Sequence, residues 1–577
     1  MSKLSIINKG KCKPEVCNRE CKKYCPIEKK ELDSCITILE KASIDEKTCV
    51  GCGICQKRCP LSAIEIINLP SIKEENLIHR YGSNGFALYG IPTPKQQSVI
   101  GFLGRNGIGK STAVKILANQ IKPNLGKDAT QEDLLNFFKG TELQTYFRDL
   151  DNKTIAYKPQ NLSLLSKDVK VIDLLKQLGD EKKINELSYK LSVNQILNNK
   201  MNELSGGELQ RVAIIAASLK DADIYFFDEP LAYLDIEQRL KVSDYIRNLC
   251  KNKIVFVVEH DLLILDYLTD YINIFFGAQG AFGVTSTIKV SRNGVNSYLD
   301  GYLKDDNMRI RDKSLTFNFT KNSPLSGQIL TSWPEFNTKF ESGFKLNVSA
   351  GEIHKNHSIG ILGKNGIGKT TFVKCLNGLQ DVEIDGKIRK LDLKLKISYK
   401  PQYIEQDSEE VVRDIVFKEK IDKRLSTMFN IGVLQSKKIN ELSGGELQRL
   451  SIARCLAKDA DVYLLDEPSA YLDVEERISA AKAIKEIMME KEKTAFVVDH
   501  DLLVISYVAD SIINFDGESG MFGQSSKIEN FEEGISNLLK SLDITLRKEK
   551  ETGRPRINKK GSVLDREQKE SGKWVIL

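Results

Sequence analysis

Leu204-Ser205-Gly206-Gly207-Glu208-Leu209-Gln210-Arg211 recurs without change as Leu442-Ser443-Gly444-Gly445-Glu446-Leu447-Gln448-Arg449. A serine followed by two glycines at the start of a helical pattern leaves bare backbone N–H groups at a helix N-terminus, which is an anion site. Upstream of each copy stands a glycine loop: Gly104-Arg-Asn106-Gly107-Ile-Gly109-Lys110-Ser111-Thr112 after the strand-like Ser98–Leu103, and Gly363-Lys-Asn365-Gly366-Ile-Gly368-Lys369-Thr370-Thr371 after Ser358–Leu362. Strand, glycine loop, Lys-Ser/Thr and helix make a phosphate loop. Its glycine N–H groups cradle the phosphates, the lysine reaches the β and γ oxygens, and the hydroxyl of Ser111 or Thr370 holds Mg2+. Two loops and two signatures predict an α/β chain duplicated within itself, each nucleotide gripped by one half and capped by the other.

Further motifs recur in step. Tyr157-Lys-Pro-Gln160 and Tyr399-Lys-Pro-Gln402 place a glutamine where it can meet the metal and the attacking water. Past the signatures, the apolar runs Ile224–Phe227 and Val462–Leu465 lead into Asp228-Glu229-Pro230 and Asp466-Glu467-Pro468. A carboxylate at a strand end orders the metal's waters, and the next can polarise a nucleophilic water. Ile254–Val258 and Ala495–Val498 then lead to Glu259-His260-Asp261 and Asp499-His500-Asp501. A lone histidine is more often a satisfied core residue. Two at matching places, in a chain with five histidines, point to γ-phosphate sensors.

At 577 residues the chain is too long for one core, so three or four domains are expected. With 41% apolar and 28% charged residues it reads as soluble and globular. The net charge of +6 is small for the length and does not by itself imply nucleic acid. No apolar run approaches the roughly 18 residues of a membrane span, and the first residues lack a signal-peptide core. A cytoplasmic location is expected.

Of 12 cysteines, eight fall in two runs before residue 60, which in a reducing compartment means metal. Cys49-x2-Cys52-x2-Cys55-x3-Cys59-Pro60 has the bacterial ferredoxin spacing, whose fourth cysteine serves the other cluster. Cys12-x4-Cys17-x3-Cys21-x3-Cys25-Pro26 is looser but ends alike. Crossing the fourth ligands assigns one 4Fe-4S cluster to Cys12, Cys17, Cys21 and Cys59, the other to Cys49, Cys52, Cys55 and Cys25. A structural zinc site is the alternative, but zinc prefers separated Cys-x2-Cys pairs. Cys35, Cys250, Cys375 and Cys455 read as packing. Lys22, Lys23, Lys29, Lys30, Lys57 and Arg58 make this head basic, either as a solvated face or as a contact for a polyanion.

Over about 215 residues each, the two repeated sets resemble the ATP-binding-cassette (ABC) superfamily. The resemblance implies tandem P-loop domains arranged head-to-tail. One ATP would rest on Lys110, Ser111, Gln160, Asp228, Glu229 and His260, capped by Ser443, Gly444, Gly445 and Glu446. The other would rest on Lys369, Thr370, Gln402, Asp466, Glu467 and His500, capped by Ser205, Gly206, Gly207 and Glu208. Phe86 and Phe344 stand where the superfamily stacks an aromatic on adenine, with Tyr81 a second candidate and core packing the alternative.

The signatures lie 238 residues apart, the phosphate loops 259 and the glutamines 242, so the first half carries 17 extra residues between loop and glutamine. The apolar spacing near 129–150 predicts two short helices joined at Gly140, either a docking element or a variable loop. Two charged segments lie outside both cassettes. Ser291 to Leu315 includes Met308-Arg309-Ile-Arg311-Asp312, and the tail includes Gly553-Arg554-Pro-Arg556-Ile-Asn558. Such runs are usually solvated, but here they could form hinges and bind phosphates.

With the iron–sulfur head, twin cassettes, Tyr233-Leu-Asp235, Tyr471-Leu-Asp473 and the Arg-Pro-Arg-Ile-Asn tail, the whole chain resembles the class E ABC family, ribosome-recycling ATPases once called ribonuclease L inhibitors. The expected layout is a ferredoxin-like α+β iron–sulfur domain (1–75), nucleotide-binding domain 1 (76–290), hinge 1 (291–315), nucleotide-binding domain 2 (316–540) and hinge 2 (541–577). The resemblance implies an archaeal or eukaryotic factor, the compact length favouring archaeal. It would be a monomer with an internal pseudo-dimer that splits ribosomes, hydrolysing ATP with Mg2+. Its implied partners are the small ribosomal subunit and its rRNA, a release factor or Pelota-type factor, and initiation factors. Leu231-Ala232 and Asp499 depart from the family's usual two serines and Glu. An ABC transporter engine has no place for a ferredoxin head, and an ATP-gated redox enzyme would need a second electron carrier that no motif supplies.

Overall fold

The computed structural model describes the chain apart from residues 1–2, 9, 31–33, 46–47, 69–75, 163–164, 166–167, 312, 318–327, 342, 405 and 577. The expected boundary at residue 75, Asp312 of the first hinge and the side chain of Lys30 fall outside the described residues.

Five parallel strands centre each half. In the first they run in the order Ile155–Lys158, Ile224–Asp228, Ile254–Val258, Ser98–Leu103 and Tyr271–Ala278. The second repeats this with Ile397–Lys400, Val462–Asp466, Thr494–Val498, Ser358–Leu362 and Ser511–Glu518. Every residue of the strand Ile254–Val258 is buried, as a parallel sheet covered on both faces requires. In such sheets ligands bind beyond the carboxyl ends of the strands. The phosphate loops, the Asp-Glu pairs and the two histidines all emerge there.

Between the first phosphate-loop helix and the strand Ile155–Lys158 stand two helices, Gln131–Phe137 and Glu142–Asp149, joined through Gly140 at φ 78°. Phe138 stacks on Phe147 with centroids 5.3 Å apart, and Tyr146 Oη donates to Leu117 O at 2.6 Å. The pair is thereby anchored to the helix Lys110–Leu117 that leaves the phosphate loop.

The head pairs the strands Lys3–Ile7 and Ile64–Asn68 antiparallel and adds the hairpin Ile36–Ile38/Ala42–Ile44. Its short helices, Glu20–Lys23 and Ile54–Arg58, carry Cys21 and Cys55. The head docks on the first half through Asn84, which is 3% exposed.

The two halves share an apolar cluster that unites Leu262, Leu265 and Tyr298 with Val474, Ile478 and Leu503. Arg311, in the segment expected to form a hinge, bonds Glu475 at 2.7 Å. The tail folds into three short strands, Leu546–Lys548, Pro555–Ile557 and Val575–Ile576. Arg554 is 0% exposed there and donates to Asp266 at 2.6 Å and Asn296 at 3.3 Å. The expectation of solvated or phosphate-binding tail arginines is corrected for this residue. A guanidinium buried against a carboxylate is a structural pin, because removing either partner would strand a buried charge.

Candidate nucleotide and cluster sites

Each phosphate loop is wrapped around its lysine. Lys110 Nζ donates to Gly104 O at 2.8 Å and Arg105 O at 2.6 Å, and Lys369 Nζ donates to Gly363 O at 2.8 Å and to Lys364 O. A Cβ on Gly104 would stand 2.3 Å from Phe275 O, so the loop closes only with glycine there. Burial lowers both lysines to about 8.

At the strand ends, Gln160 Nε2 donates to Glu229 Oε1 at 2.7 Å, and Gln402 Nε2 to Glu467 Oε1 at 2.8 Å. His260 Nε2 lies 3.4 Å from Glu229 Oε1, and His500 Nε2 lies 3.5 Å from Glu467 Oε1. Burial and then the phosphate-loop lysines push both histidines below their ordinary range, so they are neutral imidazoles at pH 7. Burial alone would raise the glutamates, but the contacts from histidine and glutamine hold Glu229 and Glu467 down to about 2. The neighbouring aspartates go the other way: burial pushes Asp228 and Asp466 up to about 6.

The donor set fits a metal-bound triphosphate. Both carboxylate oxygens of Asp466 and both ring nitrogens of His260 are buried with no hydrogen-bond partner among the described residues, and Ser111 and Thr370 stand second in the helices that leave the phosphate loops. A buried polar atom without a partner is expensive, which marks where a ligand belongs.

Contacts between the halves run from each phosphate loop to the loop after the opposite Asp-Glu pair. Asn106 N donates to Asp473 Oδ2 at 3.1 Å, Asn365 N to Asp235 Oδ2 at 2.9 Å, and Asn365 Nδ2 to Tyr233 O at 3.0 Å. Lys364 meets Glu237 at 3.0 Å, and the rings of Tyr233 and Tyr471 meet edge to face at 6.4 Å. The halves are therefore placed head-to-tail. Ser205 and Ser443 cap the helices Gly206–Leu219 and Gly444–Ala457 through reciprocal bonds with Glu208 and Glu446, and the tips at Gly206 and Gly444 are exposed.

The two departures fall on opposite partners of one recurring contact, each in its own half. Glu259 Oε1 accepts from Leu231 N at 2.8 Å, whereas Asp499 accepts from Ser469 N at 3.0 Å and from Ser469 Oγ at 2.7 Å. The shorter carboxylate is reached by a hydroxyl, and the longer one reaches a loop that has none.

Phe86 lies under Gly109 and Phe344 under Gly368, both half-buried. Tyr81 is 43% exposed and its Oη lies 3.5 Å from Thr112 Oγ1. Sequence reasoning missed the counterpart of Tyr81, which is Phe340. Tyr81 N bonds Phe86 O and Phe340 N bonds Phe344 O, each at 3.0 Å. The signal was available, since each stands 29 residues before its lysine. Also missed were Lys158 and Lys400, 1% exposed, which donate at 2.8 Å to Asp228 O and Asp466 O.

In the head, the thiols whose charges act on Cys21 are Cys17, Cys59 and Cys12, and those acting on Cys55 are Cys49, Cys52 and Cys25, with burial raising both to about 11. Cys25, Cys49, Cys52 and Cys55 line one small cavity with Ile27, Ile36 and Ile44. Backbone N–H groups of Ala42, Gly51 and Ala63 point at the sulfurs of Cys12, Cys49 and Cys59 at 3.4, 3.4 and 3.3 Å, an arrangement that suits cluster thiolates. Cys35 also lines the cavity.

Residues 93–232 and 346–470 match the family described as ABC transporter. Residues 2–29 match a possible Fer4-like domain in RNase L inhibitor, and residues 42–65 a 4Fe-4S binding domain. An uncharacterised ABC transporter ATP-binding protein of Methanocaldococcus jannaschii is 46% identical, covering 100% of this chain and 98% of the relative. The ABCE1 chain in a model of ribosome-bound archaeal Pelota and ABCE1 superposes with TM-score 0.91 at 44% identity, covering 100% of this chain and 99% of that one. A crystal structure of the archaeal ribosome recycling factor aABCE1 with the ribosomal stalk protein aP1 gives TM-score 0.83 at 45% identity, covering 88% and 100%. No helix among the described residues is long and apolar enough to cross a membrane.

Proposed function

This chain belongs to the class E, or RNase L inhibitor, family of ABC ATPases, and on that footing we propose that it splits ribosomes into subunits in the cytoplasm, driven by ATP-dependent closure of its twin cassettes. The observation that carries this reading is the head-to-tail contact of each phosphate loop with the opposite Tyr-Leu-Asp loop, next to a docked iron–sulfur head. Solved relatives are a ribosome recycling factor, matched over 88% of this chain, and an ABCE1 with Pelota on the ribosome, matched over all of it. The proposed partners are accordingly the small subunit and its rRNA, and a release or Pelota-type factor.

In this reading each ATP is held by Lys110 or Lys369 and stacked on Tyr81 or Phe340. It is capped by the signature of the other half. Mg2+ would be held by Ser111, Gln160 and Asp228, or by Thr370, Gln402 and Asp466, and would neutralise the β and γ oxygens. Glu229 and Glu467, ionised at neutral pH, accept a proton from a water oriented by Gln160 or Gln402. His260 and His500, neutral, donate N–H toward the γ-phosphate. The crossed cysteine sets would hold two 4Fe-4S clusters, which would cross-link a head whose small core supplies little stability by itself.

A ligand moves an equilibrium only by its differential affinity for the two states. Shifting open to closed from 1:99 to 99:1 takes about 5.5 kcal/mol, so two bridging nucleotides at about half that each suffice. Closure would swing the head against the subunit interface. Sucrose-gradient sedimentation of ribosomes with the protein, a Pelota-type factor and ATP tests this. Free subunits are expected to accumulate only when all three are present, and undiminished whole ribosomes would refute it.

A further inference from the structure

Gln210 and Gln448 sit in the second turn of the signature helices and are 1% and 0% exposed. Burying an amide is costly unless it is used. Each donates inward to one backbone carbonyl: Gln448 Nε2 to Glu467 O at 2.7 Å, and Gln210 Nε2 to Glu229 O. The Oε1 atoms of both have no partner among the described residues, so that single bond fixes each side chain.

The carbonyls they hold belong to the candidate water-activating glutamates, whose backbones are left-handed, with φ 47° at Glu229 and 48° at Glu467. A residue with a Cβ keeps that conformation only where its surroundings impose it. Glu467 N donates to Val498 O at 2.8 Å, whereas Ala470 N and Lys400 Nζ, the latter 2.8 Å from Asp466 O, reach Glu467 O only at 3.3 Å. Gln448 is thus the nearer donor to the strained carbonyl. Without it the peptide can rotate and carry the carboxylate away from Gln402.

The same helix begins at the exposed signature. Ser443 caps it, and the bare N–H groups that follow lie one turn from Gln448. A helix is stiff over one turn, so a shift imposed on Ser443 is delivered to Glu467 O. Under the capping proposed above, Ser443 serves the nucleotide of the first half while Glu467 serves that of the second.

We propose that Gln210 and Gln448 are positioning residues that tie the capping of one nucleotide to hydrolysis of the other, by holding the glutamate carbonyl of their own half from the helix that caps the opposite site. The proposal rests on the head-to-tail capping reading and adds the link between the two sites.

The test uses the full chain with its clusters and Glu229→Gln as the parent, which leaves turnover to Glu467. Gln448→Met fills the same space and cannot donate; it is expected to lower kcat about tenfold with KM for ATP changed less than about threefold. Ser443→Arg, which blocks capping of the first nucleotide, is expected to lower kcat as well. The double variant is expected to be no slower than the slower single one, because the link is already cut. Effects that multiply independently in this cycle overturn the proposal. If Gln448→Met melts early, Gln448→Leu replaces it in the cycle, since an aliphatic side chain cannot donate either. ATP-driven closure of the parent, read as a distance between labels on the two halves, separates the layers. A parent that does not close overturns the capping reading and the link with it, whereas closure with independent effects overturns the link alone.

Discussion

Asn365 donates its backbone N–H to Asp235 Oδ2 at 2.9 Å, which ties the phosphate loop of the second half to the loop after the Asp-Glu pair of the first. The other oxygen of Asp235 accepts from Gln238 N at 2.9 Å and caps the helix Ile236–Leu249. Asp473 repeats the division, with Glu476 N at 3.0 Å on one oxygen and Asn106 N at 3.1 Å on the other. One carboxylate therefore stabilises its own half and reports on the opposite one.

Substitution separates the two duties. Asp235→Ala loses the cap, about 1 kcal/mol, and the crossing bond, about another 1 kcal/mol; denaturant unfolding should reveal the first loss and weakened ATP-driven closure the second. Asp235→Asn has one acceptor oxygen, enough for the cap but not for both bonds. It is expected to unfold like the parent and to close less readily. Closure equal to the parent's would mean that the crossing bond is idle.

Much of this was legible in the sequence because the chemistry of a phosphate loop, a signature or a cysteine sweep is local, and duplication lets each copy check the other. The helices around Gly140 were legible for the same reason, from local apolar spacing. Residues whose roles arise only when distant strands meet were not. Lys158 and Lys400 read as polar neighbours of a glutamine until the adjacent strand brings Asp228 and Asp466 carbonyls to them. Arg554 lies in a charged run that reads as solvated, yet Asp266, far away in sequence, buries it. Phe340 was hidden by a loop one residue shorter than its counterpart, which makes Phe344 the more obvious aromatic.

Glu467→Gln retains a neutral partner for Gln402 and His500 but no longer accepts a proton. It is expected to bind ATP, close and turn over at least about a hundredfold more slowly at its own site, the general-base contribution. The closed protein should then accumulate in distance measurements and stay bound to small subunits in gradients. Normal turnover would remove Glu467 from the role assigned to it.

Asp228 and Asp466 supply a pH dependence. Their carboxyls titrate at about 6, above the 3.8 of an exposed aspartate, so without metal their contribution to stability is full below 3.8 and lost as pH rises through 6. A metal needs the ionised form, so its binding has the opposite trend. The Mg2+ concentration that half-saturates ATP hydrolysis should rise about tenfold from pH 7 to pH 5, and the Mg2+-dependent rise in Tm should shrink over the same interval. Asp466→Asn should weaken Mg2+ binding at the second site and flatten this dependence. An unchanged Mg2+ requirement at pH 5 would place the metal elsewhere.

Asn84 links the head to the first nucleotide site. Its Oδ1 accepts from Ile44 N at 2.8 Å and Ser43 Oγ at 3.2 Å, its Nδ2 donates to Ile44 O at 2.9 Å, and its carbonyl accepts from Ile7 N at 2.9 Å. The residue is left-handed at φ 57°, a conformation asparagine tolerates better than alanine does. The same loop carries Tyr81 and Phe86, which touch the phosphate loop at Thr112 and Gly109. Asn84→Ala should weaken docking of the head by about 2–4 kcal/mol, from lost buried hydrogen bonds and backbone strain. Amide hydrogen exchange across residues 36–44 should then rise. Asn84→Asp keeps the acceptors but sets a carboxylate against Ile44 O, and should fall between. Because one loop serves both contacts, the affinity of the first site for ATP should drop in the alanine variant while that of the second holds. Faster exchange in the head with unchanged affinity at the first site would mean that Asn84 only fastens the head and carries no signal from the nucleotide to it.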